Sequence, residues 1–328
     1  MFLILFILNF SFIFFFNKLS KLINLFDIPN DNRKLHKKPI AAIGGLLIFV
    51  NLFIYFIFTE YKYFYLNITL SYFNNYDFLT FFIFSTFFFL IGLCDDKFNL
   101  NANFKLILFL LIIIILLFSS ENFLFNYLKF SFLRNSIDIS YIIFPFLILC
   151  FLLYLNAFNM FDGINLQSSL YSQSIFLIFI LKGVFIDISF IMILSLIFFS
   201  YLNFKNKCFL GNNGALLIAF IVAFLFIKSQ NTVQPFFADE IFLAMAVPGF
   251  DLLRLAIQRI CRKKHPFHSD RKHLHHLLLK RIGYNKTLLL VISIIIIPNY
   301  LSILYGHTEY FIILTLLIYS YIILKFNK

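Results

Sequence analysis

Apolar residues run through this chain in long blocks, and polar ones fall in short bursts between them. The blocks lie near 1–16, 41–58, 78–94, 104–118, 139–156, 171–182, 184–202, 214–228, 236–253, 287–305 and 308–324. Most approach the roughly 20 residues that an α-helix needs to cross the hydrocarbon core of a bilayer. The pattern predicts an all-α, polytopic membrane protein with about eleven transmembrane helices, the short sixth block fitting a broken or re-entrant helix. Ionisable and amide side chains gather in five segments, Lys34 to Gly45, Asp95 to Lys105, Asn156 to Gln167, Lys205 to Ala215 and Arg254 to Lys286. Two blocks separate each segment from the next, so all five fall on one side of the membrane.

Composition agrees. The chain is 62% hydrophobic and 13% charged, with a mean hydropathy of +0.92, which excludes an ordinary soluble domain. Of the 27 Lys and Arg residues, all but Lys62, Lys129, Arg134, Lys182 and Lys228 lie on the side of the five polar segments or in the C-terminal tail. Basic loops stay cytoplasmic, so the expected topology has the N-terminus outside and the C-terminus in the cytoplasm. The first block has Lys18 and Lys21 after it and no basic residue before it, the pattern of a retained anchor.

The net charge of +12 is accounted for by this topology and by an anionic inner leaflet, so no nucleic-acid partner is expected. Cys94, Cys150, Cys208 and Cys261 match no metal or redox spacing and read as free thiols. Residues 1–328 form one membrane domain, within which 254–286 reads as a cytoplasmic basic, His-rich loop with room for a short helix. No internal repeat is evident, which disfavours a secondary carrier. On the opposite side, Glu60, Asp77, Glu121, Asp138, Asp187, Asp239, Glu240, His307 and Glu309 read as solvated loop residues.

The candidate chemistry lies in the five segments. Asp95 and Asp96 are adjacent carboxylates at a helix end, suited either to Mg2+ beside a phosphate or to simple hydration. Asn156, Asn159 and Asp162 recur every third residue along one side of a helix, before Gly163. Polar groups there face a cavity or bond neighbouring helices. Gly211-Asn212-Asn213-Gly214 opens the eighth block as an anion-binding helix start or a plain turn. Lys34, His36, Pro39, Gly44 and Gly45 form a basic turn able to touch phosphate. The last segment runs from Pro248-Gly249-Phe250-Asp251 through Arg254, Arg259 and Arg262 to Pro266-Phe267-His268-Ser269-Asp270-Arg271-Lys272-His273-Leu274-His275-His276. Its histidines lack the spacing of a helical zinc pair, and its cations suit a nucleotide diphosphate.

In this order, these segments resemble the polyprenyl-phosphate N-acetylhexosamine-1-phosphate transferase superfamily over nearly the whole chain. The resemblance rests on Arg33-Lys34-x-His36-x-x-Pro39 with Gly44-Gly45, Asp95-Asp96, Asn156-x-x-Asn159-x-x-Asp162-Gly163, Gly211-x-x-Gly214 and Pro266-Phe267-x-x-Asp270-Arg271-x-His273-x-His275-His276. The His-Leu-His-His form is similar to the undecaprenyl-phosphate GlcNAc-1-phosphate transferase branch, which begins O-antigen, enterobacterial common antigen or teichoic acid synthesis. The resemblance implies undecaprenyl phosphate and a UDP-N-acetylhexosamine as substrates, release of UMP, Mg2+ with Mn2+ able to replace it, and a bacterial cytoplasmic membrane with the site on its inner face; a homodimer stays open. It implies that Asp95 deprotonates or positions the lipid phosphate, and that Asp96, Asp162 and the Asn212 position hold metal or pyrophosphate. It further implies that His273, His275 and His276 grip the nucleotide-sugar, joined by Lys34, His36, Gly44, Gly45, Asn156, Asn159, Gly211, Asn213, Arg254 and Arg271.

This chain departs from that pattern in three places. Asn212 stands where the superfamily has an Asp, Asn165-Leu166 where it has Asp-Gly, and Ala41 and Ala42 where Pro and Arg are common. The first replaces a charged metal ligand by a neutral amide. A non-catalytic relative is therefore the competing reading, and a phospho-MurNAc-pentapeptide transferase-like activity a further one.

Overall fold

The computed structural model describes residues 1–29, 38–66, 72–119, 123–232, 235–263 and 271–326. Lys34, His36 and the stretch Pro266 to Asp270 lie outside the described residues. Helices dominate: α1 (Phe2–Phe14), α2 (Phe16–Ile23), α3 (Gly44–Leu66), α4 (Asn75–Phe98), α5 (Ala102–Ser119), α6 (Ile143–Phe161), α7 (Gln167–Leu181), α8 (Ile186–Phe204), α9 (Gly211–Thr232), α10 (Ala238–Cys261), α11 (Leu274–Ile282), α12 (Tyr284–Tyr305) and α13 (Thr308–Phe326). Among the described residues, eight are long and apolar enough to cross a membrane, nine if the bent pair α1–α2 is one span. Each apolar block of the sequence coincides with a helix, but α7 is short at 15 residues and α10, which has Pro248 inside it, is not among the eight.

The bundle is built around α9. From Ala215 to Phe226 every residue is buried, and α9 packs against α4, α3 and α6. Phenylalanine rings fill the seams, with Phe88 stacked on Phe220 at 4.8 Å and Phe123 edge-on to Phe224 at 4.7 Å. Helix ends follow local chemistry: the Asn74 side chain accepts the Asp77 N–H at the start of α4 (2.7 Å), and α4 stops at Asn99 in the left-handed conformation.

Polar pairs pin helices together inside the apolar bundle, where an unmatched amide or charge is expensive. Asn9 and Asn51 exchange reciprocal amide hydrogen bonds of 2.7 and 2.9 Å between α1 and α3. Asp77 and Lys228 form a buried ion pair between α4 and α9. Asp239 is buried under Ser131, whose N–H donates to it at 2.9 Å, and Glu240 pairs with Lys182 at 2.8 Å. The reading of these acids as solvated loop residues is thus corrected for Asp77, Asp239 and Glu240: each has a partner across the bundle.

Two short pairings matter for the site. Strand β1 (Phe26–Asp27) pairs antiparallel with β2 (Ile40–Ala41), and Ala41 bridges in parallel to Cys208. A second hairpin, β3 (Tyr127–Leu128) with β4 (Ile137–Asp138), lies away from the site, on the side of Asp239. The first pairing brings residues 40–45 against the start of α9. The segment 254–286, read as a loop, is helical at both ends: α10 carries Arg254 and Arg259 through to Cys261, and α11 begins at Leu274.

Candidate active site

The C-terminal ends of α4, α6 and α10 and the N-terminal ends of α3, α7 and α9 meet at one end of the bundle. Asp96 ends α4 facing the start of α9. Its Oδ1 accepts the Asn212 N–H at 2.9 Å, and its Oδ2 accepts the Asn213 N–H at 3.0 Å and the Asn213 side-chain amide at 2.5 Å. A carboxylate on the free N–H groups of a helix start satisfies orphan donors and meets the positive end of the helix dipole. Asn213 also donates to the Ala42 carbonyl at 2.9 Å, and its buried Oδ1 has no hydrogen-bond partner among the described residues. The Asn212 side chain makes no hydrogen bond among the described residues.

Glycines make this approach feasible. A Cβ on Gly45 would overlap Asn213 and Gly214, and one on Gly211 would stand 2.8 Å from an Asp96 oxygen. The N–H groups of Gly44 and Gly45 donate to the Phe209 and Leu210 carbonyls at 3.0 Å each. The basic-turn reading is corrected for these two: their backbone donors are already used, and the glycines serve close packing of α3 on α9. Asn213, wholly buried, likewise binds protein rather than facing an open surface.

Asp95 turns the other way. It accepts Lys105 Nζ at 2.7 Å and the Leu100 N–H at 3.0 Å, joining the end of α4 to α5. Two adjacent carboxylates are thus separated by function, one held by a cation and one by a helix start.

Asp162 follows the last turn of α6, its Oδ1 accepting the Ser168 hydroxyl at 2.5 Å. Burial pushes its carboxyl up to about 6; the Ser168 hydrogen bond opposes the shift, and the nearby Asp96 charge adds to it. The turn from Asp162 to α7 is fixed by amides. Leu166 adopts a left-handed φ of 65°, its N–H donating to Asn203 Oδ1 at 2.6 Å, while Asn165 donates to the Asn203 carbonyl at 2.9 Å and to Asn206 Oδ1 at 2.7 Å. Asn156 donates to its own helix at Leu152 (2.7 Å), and Asn159, half-buried, makes no hydrogen bond among the described residues.

The histidines arrive from the other side. The His275 ring fills the space a Cβ on Gly163 would need, and Gln167 Nε2 lies 3.4 Å from its Nδ1. Its Nε2 is buried without a partner among the described residues, and burial, reinforced by His276 and His273, holds its pKa well below the usual imidazole value, so the ring is neutral. His273 stacks on His275 at 5.6 Å and places Nδ1 2.8 Å from Asp251 Oδ2; His276 lies 4.3 Å from His275. Arg254 is tied to Asp251 at 2.8 Å, with Nη1 buried and unpaired. Arg271 is exposed beside this segment.

The donor set suits a hard cation such as Mg2+. Asp96 and Asp162 are close enough to repel, neither makes an ion pair among the described residues, and the Asn212 amide is uncommitted. Among the described residues no three His, Cys, Asp or Glu side chains group as a metal site, so remaining ligands would have to be amide, substrate or water oxygens, as Mg2+ accepts.

Asp96, Asp162 and His275, candidates on sequence, lie at this one end of the bundle. Sequence reasoning did not single out Ser168, Asn203, Lys105 or Tyr319, and it quoted Asp251 only as the start of a motif. Asp251 carried a signal, an acid in an apolar helix with Arg254 one turn later; Tyr319 carried none.

The fold and this cluster define a helical membrane protein with its ionisable groups gathered at one end of the bundle. The family model for glycosyl transferase family 4 matches residues 78–230 of this chain. It is 27% identical over 311 residues to the undecaprenyl-phosphate alpha-N-acetylglucosaminyl 1-phosphate transferase of Thermotoga maritima, covering 90% of this chain and 88% of that one. It is 25% identical over 283 residues to the protein of the same name in Escherichia coli K12 (82% and 73% covered), and 24% over 261 residues to the probable undecaprenyl-phosphate N-acetylglucosaminyl 1-phosphate transferase of Bacillus subtilis (76% and 68%).

Proposed function

We propose that this protein transfers the sugar-1-phosphate of a UDP-N-acetylhexosamine, UDP-GlcNAc or a close relative, to undecaprenyl phosphate at the inner face of a bacterial cytoplasmic membrane. The observation that carries the reading is the meeting of Asp96, Asp162 and His275 from α4, α6 and α11 at one end of the bundle. The names of the relatives support undecaprenyl phosphate as acceptor and an N-acetylglucosaminyl 1-phosphate as the group transferred; the UDP-linked donor is part of the proposal. The basic segments at that end favour a cytoplasmic site. Counting α7, α10 and the α1–α2 pair with the eight long apolar helices gives eleven crossings, with the N-terminus outside and the C-terminus inside.

In this reaction an oxygen of the lipid phosphate attacks the sugar-bearing phosphorus. The bond from that phosphorus to the bridging oxygen breaks, UMP leaves, and a diphosphate joins sugar to lipid. Three phosphates crowd together, so negative charge has to be met. Mg2+ held by Asp96, Asp162 and the Asn212 carbonyl would supply electrostatic stabilisation there. His275, neutral and with Nδ1 facing the Gln167 amide, carries its proton on Nε2, which can donate a hydrogen bond to a substrate oxygen. Arg254 Nη1 offers a donor to a phosphate oxygen. Asp95, neutralised by Lys105, orders the end of α4 and thereby the direction in which Asp96 points.

The test is direct. Membranes bearing the protein are mixed with undecaprenyl phosphate, Mg2+ and a panel of UDP-sugars, and UMP and lipid-linked product are followed. Asn212 favours a second reading, a non-catalytic relative; no product from any sugar beside an active control would establish it.

A further inference from the structure

Asp251, buried inside α10, collects four donors. The Leu274 N–H reaches both its oxygens at 3.1 and 3.3 Å, Arg254 Nη2 donates to Oδ1 at 2.8 Å, the Tyr319 hydroxyl donates to Oδ1 at 2.9 Å, and His273 Nδ1 stands 2.8 Å from Oδ2. Arg254 closes the ring. Its Nε donates to the Tyr319 oxygen at 2.8 Å and its Nη2 to the Lys272 carbonyl at 2.6 Å. Tyr319 lies on α13, far along the chain from the histidines, and is buried with its ring 5.8 Å from Phe250.

A ring of buried polar groups is a poor way merely to fasten α10 to α13, because well-packed apolar side chains join helices as firmly with no desolvation cost. What distinguishes this ring is where its bonds go. Residues 272, 273 and 274 are each held by it, and His275 follows directly, lodged against Gly163 beside Asp162. Among the described residues, 271 to 273 lead into α11 outside any helix or strand, and these contacts hold residues 272 to 274.

We infer that Tyr319 is a positioning residue for the transfer reaction: through Asp251 and Arg254, the last helix of the chain sets where His273 and His275 stand against the Asp162 turn, and so the grip on the nucleotide-sugar. This rests on the transferase reading above. Tyr319 touches no reacting atom itself.

Tyr319→Phe removes one hydroxyl and keeps the ring that packs on Phe250. In the full-length protein in nanodiscs, the KM for UDP-GlcNAc should rise about fivefold to tenfold, the weight of one hydrogen bond. The KM for undecaprenyl phosphate should stay unchanged, and the melting temperature should fall by no more than the loss of one buried hydrogen bond explains. His273 and His275 should also react faster with diethyl pyrocarbonate, read by mass spectrometry, which needs no turnover. Asp251→Asn should act in the same direction and further. An active wild type beside a Tyr319→Phe variant with unchanged KM and unchanged histidine modification overturns the inference. So does a loss confined to kcat that tracks a lower melting temperature. Wild-type protein that turns over no UDP-sugar defeats instead the transferase reading on which it rests.

Discussion

Gly163 and His275 occupy what would otherwise be one volume: the imidazole sits where any β-carbon at position 163 would have to go. This contact joins the carboxylate turn after α6 to the histidine segment before α11, and it turns a permissive glycine into a condition for assembling the site.

Gly163→Ala should therefore displace His275. Overpacking of this kind costs about 1–3 kcal/mol, and the displaced ring lies in the middle of the site. The expected result is a lower melting temperature together with a loss of UMP release of about 5-fold to 150-fold, the range that this strain gives if fully felt in the transition state. Wild-type turnover in the alanine variant would show that His275 is not needed in that place.

Asp162 gives a pH signature with a defined sign. Its carboxyl is raised to about 6 in the folded protein against an ordinary value of 3.8. Between those values the folded state holds a proton the unfolded state has lost, so stability falls as pH rises from about 4 to about 6 and stays lower above that. Asp162→Asn should thus raise the melting temperature at pH 7.5 in chelator while abolishing transfer. In the wild type, Mg2+-dependent activity should fall below about pH 6 as the carboxylate protonates. A variant no more stable than wild type at pH 7.5 would contradict the assigned environment.

Asn212, whose backbone N–H donates to Asp96, carries an uncharged amide. Restoring a carboxylate with Asn212→Asp adds charge to the proposed ligand set, and the Mg2+ concentration for half-maximal activity should drop about tenfold, the effect of roughly 1.4 kcal/mol in metal binding. A magnesium titration that leaves wild type and variant superimposed would argue against any metal role at this position.

Leu166 holds a left-handed φ of 65°, a conformation that costs a residue with a Cβ about 1–2 kcal/mol. Leu166→Gly relieves that strain while giving up part of a half-buried side chain, and should raise stability by up to about 1 kcal/mol. Calorimetry of the purified protein checks it; a clear drop would mean that the leucine side chain contributes more than its backbone costs.

Lys105 is the only cation that the buried Asp95 contacts among the described residues. Lys105→Met should destabilise the protein by about 2 kcal/mol, reduced from the value for a fully buried pair because Lys105 keeps some contact with water. Lys105→Arg should restore most of it. Denaturation of the three proteins in the same detergent distinguishes these outcomes.

The membrane-embedded character, the approximate helix positions and the gathering of polar groups at one end were all legible along the chain. Apolar blocks of bilayer length have few alternatives to helix, and the clustering of charge is linear information. The carboxylates of Asp96 and Asp162 and the histidines could be named as candidates because such groups are rare in so apolar a chain. Which way each side chain turns was not legible. Asp95 and Asp96 are neighbours in sequence, yet one faces Lys105 and the other the start of α9, a division set by helix rotation and by which helix stands next to which. Gly44 and Gly45 looked like a phosphate turn, and only their closeness to Asn213 and Gly214 reveals them as packing residues. Asp77, Asp239 and Glu240 looked solvated because their partners, Lys228, Ser131 and Lys182, lie more than 50 residues away. Tyr319, one tyrosine among 17, gave no local sign of its link to Asp251. Hydrophobic periodicity and composition are local, so the sequence by itself determined the elements and the chemical inventory. Partnership and orientation arise from contacts between distant segments, and those were decided only when the helices packed.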